Sequence, residues 1–83
     1  MAHNVEDAKM TRLVQRELGR RPIDITRMTI RYTHGTVYLY GIVRRLRGHE
    51  NLDLKEEMNI IYRLLRSRNG IREVHMEELV IRA

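Results

Sequence analysis

Between residues 28 and 43, apolar and polar side chains alternate on both sides of a His34-Gly35 pair. Met28, Ile30 and Tyr32 are interleaved with Thr29, Arg31 and Thr33. Val37, Leu39, Gly41 and Val43 are interleaved with Tyr38, Tyr40 and Ile42. A period of two marks a strand with one buried face. Two such runs separated by two residues predict a hairpin, with strands over 27–33 and 36–43. Both central residues of so tight a turn need positive φ, which Gly supplies freely and His tolerates better than most. His34 is therefore read as a turn residue and not as a ligand. Gly41 falls on the apolar side of the second strand, where the lack of a side chain is expected to permit close approach to a helix.

Helical patterns flank the hairpin. Over residues 5–20, Met10, Leu13, Val14 and Leu18 recur at helical spacing, with Val5 and Ala8 extending the same side. Asn4 is the expected N-cap, Glu6 and Asp7 suit the positive end of the helix dipole, and Gly19 and Pro22 close the helix. Ile23 and Ile25 belong to a short extended connector. Residues 44–51 read as a polar, Arg-rich loop. A second helix is expected from about Asp53 to Arg68, with Leu54, Met58, Ile61, Leu65 and Leu64 as its buried stripe. Asp53 and Glu56 have capping-box spacing, and Asn69-Gly70 is the stop. The last strand covers 72–82. Val74 and Met76 share one parity, Leu79 and Ile81 the other, so one extra residue must intervene for all four to face the core. A β-bulge is expected near Glu77-Glu78.

The order is α-β-β-α-β, and each amphipathic helix must bury one side. The expected fold is α+β: a two-layer sandwich, a three-stranded mixed sheet with two helices on one face. The strands joined through the second helix should run parallel, and a right-handed crossover would put the first hairpin strand in the middle. The chain has 83 residues, enough for a single domain with a core over about 5–82. It has no Cys, Phe or Trp, so disulfides and thiolate metal sites are excluded and the core must be aliphatic with Met. No apolar run approaches the roughly 18 residues of a membrane span. The first residues carry no basic stretch followed by an apolar one, so a secretory signal is not expected. The expected location is cytoplasmic if the chain is full length, and periplasmic or envelope if a signal has been removed.

The segment Ile30-Arg31-Tyr32-Thr33-His34-Gly35-Thr36-Val37-Tyr38-Leu39-Tyr40-Gly41-Ile42-Val43, followed after a helix by Gly70-Ile71 and Val74, resembles a BON domain. That small α/β module is named for bacterial osmotic-stress and nodulation proteins. Its pattern is an alternating strand, a turn ending in Gly, Val-x-Leu-x-Gly-x-Val, and later Gly-Val with a further Val three residues on. Ile71 replaces the first of those later valines here. The segment between Gly41 and Gly70 is longer than the pattern, and the second helix has no Ala. The resemblance implies binding, not catalysis, with attachment to phospholipid membranes or envelope proteins, and it carries over no catalytic residue and no cofactor.

The residues themselves offer no catalytic constellation. His3, His34, His49 and His75 are too scattered for a metal site, Ser67 is the only Ser, and the adjacent pairs Glu56-Glu57 and Glu77-Glu78 point apart. Charge is more informative. Sixteen basic residues, 14 of them Arg, against 11 acidic ones give a net charge of +5, which favours anionic partners. Tyr38, Tyr40 and Ile42 share the strand face without helices, and Arg31 on the neighbouring strand faces the same way. Such a face is able to stack bases, enter a lipid interface or pack on a partner. Arg44, Arg45 and Arg47 in the following loop are candidate contacts to phosphate oxygens. The expected partner is an anionic membrane surface or another protein. A nucleic acid and weak homo-oligomerisation through the sheet face are the alternatives.

Overall fold

The computed structural model describes residues 5–82. Asn4 and His3 lie outside them. The elements run α1 (Val5–Gly19), β1 (Ile23–Asp24), β2 (Met28–Thr33), β3 (Thr36–Arg45), α2 (Leu54–Arg66), β4 (Glu73–His75) and β5 (Leu79–Ile81). The class is α+β, as expected, but the sheet has five strands, not three. Two local interruptions account for the difference. Asp24 stands opposite Arg44 and Met28 opposite Gly41, so four steps of one chain segment match three of the other. The surplus residue is taken up in a turn closed by Met28 N–H donating to Ile25 O at 3.0 Å, and the expected connector becomes β1. The same count recurs at the C-terminal end. His75 aligns with Tyr38 and Leu79 with Gly41, which places the extra residue within 76–78 and gives Leu79 and Ile81 the parity of Val74. The segment forms a turn that splits the expected strand in two, not a bulge, and Ile81 remains 40% exposed.

The strand in the middle is β3, not the first hairpin strand. It pairs antiparallel with β1 and β2, and parallel with β4 and β5. It also carries Val37, Leu39 and Val43, which are almost completely enclosed and need neighbours on both edges. The strand runs on through Arg44 and Arg45, two residues that the sequence places in a loop.

Local preferences explain the elements. His34 and Gly35 have φ of 48° and 89°, the doubly positive turn that matches strand twist. Asp53 caps α2, its carboxylate accepting from Glu56 N–H at 3.1 Å. Gly41 serves a different purpose from the one expected. Its φ is 100°, and an added Cβ would lie 2.3 Å from the carbonyl oxygen of Arg27. The close approach is thus by neighbouring backbone, not by a helix, and Ile42 N–H donates to that same carbonyl at 2.9 Å.

One core cluster joins Met10, Val14 and Leu18 of α1 with Leu54, Met58, Ile61 and Leu65 of α2, over Tyr32, Val37, Leu39, Val43 and Val74. Both helices therefore cover the face of β3 that presents its odd-numbered residues. Val5, the first residue of α1, is exposed and outside this core. Leu64 is only half-buried, and the interior of α2 instead includes Glu57, 3% exposed. Its two carboxylate oxygens accept from Arg21 Nε at 2.5 Å and Nη2 at 3.0 Å. A further ion pair, Arg68 to Glu17, ties the end of α2 to α1. Tyr32 donates to Gly70 O at 2.6 Å and so holds the helix exit against β2.

Candidate functional site

The even-numbered residues of β3 point away from the helices and form the spine of an open face. Tyr38 is 41% exposed, Tyr40 and Ile42 are half-buried, and Arg44 is exposed. Arg31 stands opposite Tyr38 and Thr29 opposite Tyr40 in β2. Val80 of β5 stands beside Ile42 and is 51% exposed. Arg31, Thr33, Tyr38 and Tyr40 line one shallow depression, so the structure brings together Arg31, Tyr38, Tyr40 and Ile42 on one surface.

Arg44, Arg45 and Arg47 line one depression, but they differ in what their side chains touch. Arg44 is on the open face, 3.6 Å from Asp24. Arg45 has the opposite parity, and its Nε donates to Leu52 O at 2.5 Å, which pins the loop onto the strand end. Arg47 is exposed in that loop, beside a depression it shares with Asp24, Arg44, Arg45 and Glu50.

Charged groups sit at both ends of the β3 face. At the hairpin end, the His75 ring stacks on Tyr38, with centroids 5.3 Å apart and planes 14° from parallel. Glu73 and Glu77 hold that imidazole at 3.0 and 3.2 Å. The contact with Glu77 first, then that with Glu73, pushes the His75 pKa above its ordinary value. The Glu77 carboxyl is held below its usual range by its own backbone N–H and then by His75. At the other end, Arg27, Arg44 and Arg82 surround Ile42. Asp24 is the acidic group there, its pKa lowered first by the Thr26 hydroxyl, next by the Thr26 N–H, then by Arg44 and Arg27.

His75, Val80, Arg27 and Arg82 were not among the residues singled out from sequence for this face. Val80 and Arg82 share a parity, which becomes readable as an open-face position once the surplus residue in 76–78 is placed. Arg27 has the parity of Thr29 and Arg31 in the strand expected over 27–33, so its side was readable, although the structure places it in the turn between β1 and β2. Among the described residues there is no His, Asp or Glu cluster suited to a metal ion, and no helix is long and apolar enough to cross a membrane. No protein-family profile, curated protein or solved structure gives a match to this chain.

Proposed function

We propose that this chain is a non-catalytic binding module, BON-like in its sequence pattern, that attaches through its open sheet face to an anionic phospholipid surface. The observation that carries the reading is the composition of that face. Tyr38, Tyr40, Ile42 and Val80 are flanked by Arg31 on one side and by Arg27, Arg44 and Arg82 at one end, with Glu73 and Glu77 confined to the hairpin end around His75. Tyrosines suit the headgroup layer, where one end of the ring is apolar and the other wet. Each basic side chain near an anionic leaflet adds roughly 1 kcal/mol of attraction. The resemblance to BON domains points the same way.

Co-sedimentation with vesicles tests the reading. Binding is expected to vesicles of phosphatidylcholine mixed with phosphatidylglycerol, and not to phosphatidylcholine alone. It should weaken as salt screens the surface charges. Equal binding to both compositions, or to neither, refutes it. Tighter binding to a single-stranded oligonucleotide than to the anionic vesicles would replace it with a nucleic-acid function.

A further inference from the structure

We infer that the depression around Ile42 is a site for a dianionic phosphate monoester of a lipid headgroup, held by Arg27, Arg44 and Arg82. The inference rests on the membrane reading for the source of the phosphate, and on the geometry below for the site itself.

The three arginines come from three parts of the chain: the turn between β1 and β2, the end of β3, and the residue after β5. Main-chain hydrogen bonds anchor all three to one frame. Arg27 O accepts from Ile42 N–H at 2.9 Å, Arg82 N–H donates to Val43 O at 3.0 Å, and Arg44 is paired within the sheet opposite Asp24. The depression they line with Ile42 has a volume of about 310 Å³. Among the described residues the side chains of Arg27 and Arg82 make no hydrogen bond and no ion pair within 4 Å, although Arg27 acts on Asp24 at longer range. Asp24 is the nearby carboxylate, and one of its oxygens already accepts from Thr26 N–H and Oγ1 at 2.9 and 2.7 Å.

Asp24 is paired with Arg44 at 3.6 Å and is, among the described residues, the one acid shared by the three arginines, so the remaining like charges repel one another and an anion relieves that repulsion. A guanidinium is a planar fork suited to phosphate oxygens. Three forks set around one depression match the three terminal oxygens of a monoester better than the two free oxygens of a diester or the two of a carboxylate. Charge selects the same ligand. Three arginines against one aspartate leave a local excess of about two positive charges, which a dianion balances and a monoanionic diester only halves.

The test uses the full chain and two kinds of probe. Inorganic phosphate is titrated at pH 7.5, and the arginine Nε–H resonances are followed by NMR at constant ionic strength. Saturable shifts are expected at Arg27, Arg44 and Arg82. Arg82→Ala should weaken phosphate binding about fivefold, the factor carried by an exposed charge pair of about 1 kcal/mol. Arg12→Ala on α1 should leave binding unchanged, and dispersed backbone spectra establish that each variant is folded. In the second arm, vesicles containing phosphatidic acid are compared with phosphatidylglycerol vesicles of equal surface charge. Phosphatidic acid should bind severalfold more tightly, and Arg82→Ala should abolish the difference. No phosphate-specific shift at the three arginines overturns the site. If phosphatidylglycerol vesicles also bind, the membrane reading survives that result. Equal affinity for the two lipids overturns the selection of a monoester. Saturable phosphate shifts without vesicle binding, or tighter binding of a single-stranded oligonucleotide, overturn the lipid as source.

Discussion

Replacing Arg21 by Met is expected to destabilise the fold by about 3 kcal/mol. Glu57 lies on the interior side of α2, 3% exposed, and the Arg21 guanidinium is its ion-pair partner. The pair is bidentate, at 2.5 and 3.0 Å, and the same hydrogen bonds raise the Arg21 pKa above its ordinary value. Removing one partner of a buried pair costs about 3–5 kcal/mol, because the other charge stays desolvated without compensation. The Arg21 side chain is 30% exposed, so water reaches part of the site and the lower end of that range applies. A domain this short is stable by roughly 4–12 kcal/mol, so the loss is a quarter or more of the total. At about 4–8 °C per kcal/mol, Tm should fall by roughly 12–24 °C. Urea unfolding and thermal melts followed by far-UV circular dichroism at pH 7 read both quantities. The double variant Arg21→Met with Glu57→Leu should recover most of the loss, since an apolar pair of similar volume replaces a buried ion pair at little cost. A loss below about 1 kcal/mol in the single variant, or no recovery in the double one, would refute the reasoning.

Gly41→Ala should cost about 2 kcal/mol or more in urea unfolding, because φ is 100° and the new Cβ would meet the Arg27 carbonyl oxygen. A neutral result would show that the β2 edge shifts freely. Tyr32→Phe removes the donor to Gly70 O from a buried ring, and a loss of about 1 kcal/mol is expected in the same assay. Unchanged stability would mean that water replaces the hydroxyl. His75 should titrate above pH 6.5 by NMR, with the midpoint lowered more by Glu77→Gln than by Glu73→Gln. Its folded pKa exceeds the unfolded one, so its stabilising contribution is complete below the unfolded pKa and is lost as pH rises through the folded value. A midpoint at or below 6.5, or the reverse order of the two variants, would contradict the assigned geometry.

Much of this protein is encoded locally. The alternation around His34-Gly35 determines the hairpin, since period and turn chemistry involve only neighbours in the chain. Asp53 determines the start of α2 for the same reason, as its carboxylate reaches only the next turn of backbone. Even the surplus residue in 76–78 was legible, because strict alternation cannot put Val74, Met76, Leu79 and Ile81 on one face without it. On the candidate face, the shared orientation of Tyr38, Tyr40, Ile42 and Arg31 followed from the same parity. What the tertiary structure decided is which strands meet. That β3 lies at the centre depends on burying Val37, Leu39 and Val43 under two helices and pairing both strand edges. No local pattern expresses that requirement. From this one arrangement follow the pairing of β1 with Arg44 and Arg45, the stacking of His75 on Tyr38, and the grouping of Arg27, Arg44 and Arg82. Glu57 has the same origin: a carboxylate inside a helix stripe looks like a solvated residue until the fold brings Arg21, 36 residues away, onto it.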